Sequence, residues 1–171
     1  QFLEPRNEIG RNTFTKQPEP LKKDKPYRYK HVPEDLLKAL DAITERIVRL
    51  VRVLAEKAND TKTIIMPSYT HLQRAQPVVF AHHLLAYAMM LLRDKDRFAD
   101  TRARINVSPI GSCALAGTTY PTDRRFEAER LGFSSVAANS LDGVSDRDFA
   151  VELLSALSLL MVHLSRFAEE I

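Results

Sequence analysis

PVVFAHHLLAYAMMLLRDKDRFADTRARI, residues 77–105, decides the fold. Between Val78 and Leu92 nearly every position is apolar, and then Arg93, Asp94, Lys95, Asp96 and Arg97 arrive together. A segment greasy all round in one half and charged in the other reads as a helix that other helices surround over part of its length. Pro77 suits the first helical position, and at ~1.5 Å per residue a helix from Pro77 to Ile105 runs on the order of 40 Å. Such a rod outspans a small globule and asks for long partners. Its apolar half is interrupted by His82 and His83 and is shorter than the ~20 residues that cross a bilayer, so we reject a membrane span there.

The partners are legible on either side. Pro33, followed by Glu34 and Asp35, marks a helix start. From there Leu36, Leu40, Ile43, Ile47, Leu50 and Leu54 recur at spacings of four and three, one apolar stripe that ends near Asn59 and Asp60. Thr61 to Gln76 reads as a polar connection with a short apolar opening at Ile64, Ile65 and Met66. After the central helix, Asn106 to Pro121 is a loop rich in small donors, among them Ser108, Gly111, Ser112, Gly117, Thr118 and Thr119. A short helix is expected over Asp123–Leu131, stopped by Gly132, then a polar loop to Ser145. There Ser145, Asp146, Arg147 and Asp148 resemble a capping box, with Asp in place of Glu or Gln. The last helix carries Phe149, Leu153, Leu157, Leu160, Leu164, Phe167 and Ile171 on one face and has no stop signal, so either the chain is cut there or the rest of the helix is supplied elsewhere. Together these elements predict an all-α bundle of long helices, with no strand-rich region.

At 171 residues the chain is long enough for one core, and 44% hydrophobic with 27% charged residues lies in the globular range. Eight of its basic residues fall in the first thirty: Arg6, Arg11, Lys16, Lys22, Lys23, Lys25, Arg28 and Lys30. With Pro5, Pro18, Pro20 and Pro26 among them and no aromatic stacking pattern, residues 1–31 read as a solvated, poorly ordered leader rather than a nucleic-acid site. Residues 32–171 are the helical domain. A single cysteine, Cys113, cannot close an intramolecular disulfide, and no signal peptide is visible, which favours a cytoplasmic protein. His82 and His83 are neighbours on one helix and point apart, so they suggest no zinc site, and no cofactor is called for.

Four stretches carry a resemblance. Met66 to Pro77 (MPSYTHLQRAQP) is similar to a signature of the argininosuccinate lyases and the related eye-lens delta crystallins. FAHHLLAY (80–87), VSPIGSCALAGTTY (107–120) and NSLDGVSDRDF (139–149) continue it, so that residues 61–171 align throughout. The resemblance implies the fumarase/aspartase-like fold, of which this chain would be part of the central domain. It also implies a homotetramer in which three subunits build each site, and a β-elimination that splits argininosuccinate into arginine and fumarate for arginine biosynthesis.

That chemistry needs these residue types. A proton leaves the carbon beside a carboxylate, negative charge builds on that carboxylate, and the departing guanidinium nitrogen must end protonated. By resemblance His71 is the catalytic histidine, as acid or as base, since an imidazole moves protons near neutral pH. Thr70 is then a substrate contact. Gln73 and Gln76 either bind substrate or hold the turn before Pro77. Ser112, Thr118 and Thr119 are candidates to receive a carboxylate, against a packing role. Arg147 either pairs with a substrate carboxylate or makes a helix-capping salt bridge.

The resemblance has gaps. A Ser-x-Arg-Asn-Asp-Gln signature is absent ahead of the first long helix, with Arg6-Asn7-Glu8 a faint echo. The loop Gly-Ser-Ser-x-Met-Pro-x-Lys-x-Asn-Pro, which bears the family's serine, would lie beyond Ile171. Ser68 stands where the family has Gly before Tyr69, and Cys113 where it often has Gly, read here as a packing residue. The expectation is a segment that keeps the bundle core with little or no activity alone. The competing reading is a non-catalytic oligomerisation module, crystallin-like or degenerate. Either way, apolar stripes on more than one side imply self-association.

Overall fold

The computed structural model describes residues 32–170. The basic segment 1–31, with Arg6-Asn7-Glu8, and Ile171 lie outside the described residues. Three long helices dominate: α1 (Val32–Asp60), α2 (Phe80–Ile105) and α5 (Asp148–Glu169). Between α1 and α2 stands an antiparallel hairpin, β1 (Ile65–Thr70) and β2 (Gln73–Val79). Between α2 and α5 lie two short helices, α3 (Arg124–Arg130) and α4 (Ser140–Ser145), and a parallel two-residue bridge of β3 (Val107–Ser108) with β4 (Ser135–Val136). The fold is the expected helical bundle, but the polar connection before Pro77 is a hairpin. Pro77 sits in β2 and helix α2 begins at Phe80.

The start of α2 shows why. Val79 has no side chain to cap the helix, and the Phe80 N–H donates instead to the Ile64 carbonyl at 2.8 Å, so the hairpin base caps α2. Pro67 and Pro77 are register partners, which both strands tolerate because each is an edge with no further neighbour to feed.

Helix α2 is the shared wall of the bundle, packing on α1 along one side and on α5 along another. From α1 come buried Leu37, Leu40, Ile47, Leu54 and Ala58; from α2, Leu84, Tyr87, Ala88, Leu91, Phe98 and Ile105; from α5, Ala156 and Leu160. Leu37 is buried more deeply than the Leu36 that the stripe named, one position round the same helix. Helix α5 is long and apolar enough to cross a membrane by length and composition, yet it docks Leu153, Leu157, Leu164 and Phe167 on this core.

Polar pins set how α5 runs along α2. Asp94 is fully buried; its Oδ1 accepts from Arg97 Nη1 at 2.9 Å and its Oδ2 meets His163 Nδ1 of α5 at 2.6 Å. With Asp94 a carboxylate, Nδ1 is the nitrogen that carries the proton. One way along the seam Arg104 pairs with Glu152; the other way, the Tyr87 and Phe167 rings meet tilted at 47° with centroids 5.0 Å apart, and His83 Nε2 lies 3.4 Å from Glu170. Numbers rise on α2 as they fall on α5, an antiparallel seam. On the other side Arg102 grips Asp41 of α1 with two bonds, at 2.5 and 2.9 Å, and the guanidinium holds the Asp41 carboxyl below its usual range.

The remaining elements depart in part from expectation. Helix α3 is capped by Asp123, whose carboxylate accepts from the Arg125 and Phe126 N–H groups. It ends as a left-handed C-cap should, with Gly132 at φ 80°, Gly132 N–H on the Glu129 carbonyl and Phe133 N–H on the Ala128 carbonyl. The polar loop expected up to Ser145 contains α4, which Asn139 caps through Leu141 and Asp142. Ser145 therefore closes α4, donating its hydroxyl back to the Leu141 carbonyl, and caps nothing. Asp146 instead accepts from Asp148 N–H at 2.7 Å at the start of α5.

Two predictions follow from the seam. Asp94→Ala leaves the largely buried His163 Nδ1–H without its carboxylate and is expected to cost about 1–3 kcal/mol in urea unfolding, whereas Asp41→Ala, at an exposed pair, costs no more than about 1 kcal/mol. Burial, and then the Glu170 carboxylate, push Tyr87 from 10.0 up to about 12. The neutral phenol is favoured in the fold, so stability held below pH 10 is lost as pH rises toward 12. Tyr87→Phe should flatten that loss, read as unfolding free energy at the two ends of the interval.

Candidate functional site

His71 stands at the tip of the β-hairpin. Thr70 pairs with Gln73 across a two-residue turn whose central residues, His71 and Leu72, both have left-handed backbones, at φ 51° and 60°. Positive φ at both positions is the pattern of a type I′ turn, whose preferred residues are Asn and Gly because a Cβ is strained there. Neither His nor Leu relieves that strain, and Leu72 is 95% exposed, so no packing compensates it. Strained, exposed residues at a hairpin tip are a positive sign of use. Among the described residues nothing hydrogen-bonds or ion-pairs with the His71 ring. Thr70, Gln73 and Gln76 are exposed beside it.

Lower down, the strand pairing is irregular between Pro67 and Tyr69, a bulge centred on Ser68. The Ser68 hydroxyl donates to the Gln76 carbonyl across the hairpin and ties the two strands together. Below it a recess of about 500 Å³ is lined by Met66, Tyr69, His83, Tyr87, Arg166 and Glu170. His83, counted at first only as a neighbour of His82, thus belongs to the floor under the hairpin.

Ser112, Thr118 and Arg147 are elsewhere. The hairpin precedes Phe80 and their segment follows Ile105, so the 26 residues of α2, about 39 Å at the helical rise, separate the two groups in one chain. Ser112 is buried at 2% exposure against Gly143, where a Cβ would come within 3.0 Å of its Oγ. Thr118 and Thr119 are exposed, and Thr118 Oγ1 accepts from the Tyr120 N–H at 3.2 Å. Cys113 is exposed in a left-handed backbone, at φ 54°, so it turns the loop and does not pack. Among the described residues Arg147 makes no capping salt bridge: it occupies the N-cap position of α5 and its Nη1 donates to the Val144 and Asp146 carbonyls. With Arg104, Asp142, Asp146 and Phe149 it lines a recess of about 400 Å³.

Sequence reasoning missed Arg124, which organises this end. Its Nε donates to the Ile110 carbonyl at 2.8 Å and its Nη2 to the Ala137 carbonyl at 3.1 Å, pinning the small-residue loop to the segment before α4. Gly111, at φ 81°, leaves room for it, since a Cβ there would fall 2.5 Å from Arg124 Cγ. Paired glycine and arginine signals thirteen residues apart carry no local pattern that would have revealed this. No group of three metal-ligating side chains is present among the described residues.

The turn strain is testable. Leu72→Gly relieves a left-handed penalty of ~1–2 kcal/mol, partly offset by the greater freedom of glycine in the unfolded chain. It should therefore raise stability by up to about 1 kcal/mol, read as a higher Tm, while shortening of the tip by deletion of Leu72 should not.

Comparison with known proteins accords with this arrangement. The sequence pattern of the Lyase family matches residues 35–171. The argininosuccinate lyase of Bacillus licheniformis is 57% identical over 148 residues, covering 84% of this chain and 32% of that protein. That of Bacillus subtilis is 61% identical over 129 residues, 75% of this chain and 28% of that protein. Among solved structures, an EDDS lyase in complex with formate superposes with a TM-score of 0.78 at 32% identity, over 81% of this chain and 28% of that one. A fumarate lyase:delta crystallin from Brucella melitensis, at 22% identity and a TM-score of 0.72, covers 81% of this chain and 32% of that one and shares the fold. The chain spans about a third of the length of the curated relatives it matches. With the family pattern running across all three long helices and the hairpin between them, the chain is a member of the lyase family that includes the argininosuccinate lyases.

Proposed function

We propose that this chain supplies part of the active site of an argininosuccinate lyase, a carbon–nitrogen lyase that eliminates arginine from argininosuccinate and leaves fumarate. The observation that carries the reading is the strained, solvent-facing His71 at the hairpin tip, within a run whose relatives bear the name argininosuccinate lyase. Thr70 beside it contacts the substrate. His71 moves one of the two protons of the elimination: either it takes the proton from the carbon next to the carboxylate, or it gives one to the departing guanidinium nitrogen. Gln73, fixed as the strand partner of Thr70, reaches the same solvent space.

The 26 residues of α2, about 39 Å of helix, that stand between this group and Ser112, Thr118 and Arg147 along the chain support a site shared between copies. The second group then serves the hairpin of a neighbour, with Thr118 and Arg147 receiving substrate carboxylates and Ser112 shaping the loop from inside. Residues 32–171 are accordingly part of a central helical domain. Self-association is supported by the outer face of α5, where Val151, Leu154, Met161 and Val162 are each more than half exposed. The assembly is a homotetramer in the cytoplasm, in keeping with a lone cysteine and no disulfide.

In an assembled, active enzyme carrying this segment, His71→Ala is expected to lower kcat by about 10²–10⁴, the range of a lost general acid or base, with helix content and assembly unchanged. Fumarate absorbance reads the rate, and sedimentation the assembly. Full activity in His71→Ala would overturn the assignment, as would a strictly monomeric active protein.

A further inference from the structure

Arg124 has a hydrogen-bonding edge that the fold leaves unused. Three contacts engage the guanidinium: Nε to the Ile110 carbonyl, Nη2 to the Ala137 carbonyl, and Nη2 to Ser112 Oγ at 3.5 Å. All three partners are neutral, and no carboxylate among the described residues forms an ion pair with it. Nη1, with two N–H groups, has no partner among the described residues. No buried side-chain nitrogen or oxygen in them lacks one, so Nη1 is open to solvent.

Arg124 also lines a polar hollow made by the loop. A recess of about 310 Å³ is lined by Arg124 together with Gly117, Thr118, Tyr120, Thr122 and Ser140. Thr118 Oγ1 already accepts the Tyr120 N–H, which leaves its own hydroxyl proton to donate inward. The Asp123 carboxylate next door is committed to the N–H groups of Arg125 and Phe126. The loop holds this shape at a conformational cost, with left-handed backbones at Gly111, Cys113 and Gly117 within seven residues. A fixed, uncompensated cation among hydroxyl donors is the chemistry that receives an oxyanion, and a planar guanidinium edge suits two oxygens at once.

We infer that the recess formed by Arg124, Thr118, Thr122 and Ser140 is a binding site for a small oxyanion, a carboxylate or a phosphate. The inference shares Thr118 with the substrate-binding group proposed above, and a carboxylate bound here deepens that reading; because the test reads binding and not turnover, its failure and the failure of the lyase reading are distinguishable. It is argued from Arg124 and its surroundings, it lies at the opposite end of α2 from His71 in the chain, and it is measured without turnover.

The test is titration calorimetry of this chain with inorganic phosphate and, separately, with succinate, at ionic strength held constant with chloride. Saturable binding of one equivalent per chain is expected for at least one probe. Preference for succinate identifies a carboxylate ligand and preference for phosphate a phosphorylated one. Thr118→Val, which leaves every Arg124 contact in place, should weaken binding about tenfold, the loss of one hydrogen bond to a charged group. Arg124→Gln should abolish it, with circular dichroism reporting whether the helices persist. The site is refuted if neither probe saturates against chloride. It is refuted equally if binding survives both Thr118→Val and Ser140→Ala unchanged, a pair that keeps the inference falsifiable even where Arg124→Gln unfolds.

Discussion

Everything in this molecule hangs on burying α2 from two sides at once. A helix with Leu84, Tyr87, Ala88, Leu91, Phe98 and Ile105 in its core-facing arcs exposes too much apolar surface for a single neighbour to cover. Helix α1 takes one arc and α5 the other, and each contributes its own regular stripe. Once α2 is enclosed, the positions of its two ends are fixed. Whatever chemistry the chain holds is carried there, by the hairpin that caps one end and the loop that leaves the other.

How much of this could be read from residues alone depends on the range of the forces. The stripes on α1 and α5 follow a period of 3.6 and needed only local reading, as did the Gly132 stop of α3; Asp123, placed in that helix, caps it instead. The hairpin was illegible for a local reason of a different kind. Its strands hold Pro67, Pro77, Gln73 and Gln76, lack alternating apolar faces, and meet in a His-Leu turn where Asn-Gly would be the signal. Pro77, a fair marker for the first turn of a helix, sits three residues too early because the hairpin's own main chain caps α2. Helix α4 escaped because six residues that include Gly143 fall below any periodic signal, and its cap, Asn139, looked like one more loop residue.

The candidate site shows the limit most clearly. Thr70, His71, Gln73, Ser112, Thr118 and Arg147 form one set by motif, and the chain divides them into two groups at opposite ends of a rod. Chemistry chose the residue types, but distance was invisible. Within the second group, Ser112 and Thr118 share a loop and a donor type, yet one is buried beside Gly143 and the other lines a polar hollow. What separates them is Arg124, whose partners at Ile110 and Ala137 are remote in sequence and close only after α3 has formed.

The pins between α2 and α5 bear on what kinds of change the helices tolerate. A seam of leucines alone is forgiving of slippage, since a leucine displaced by one turn meets another leucine. Asp94 against His163 is a key in a single slot: displaced by a turn, each would face hydrocarbon with its polar atoms bare. Substitutions that keep volume are therefore absorbed along this seam, whereas the insertion or loss of even one residue between the pins throws both helices out of phase with each other.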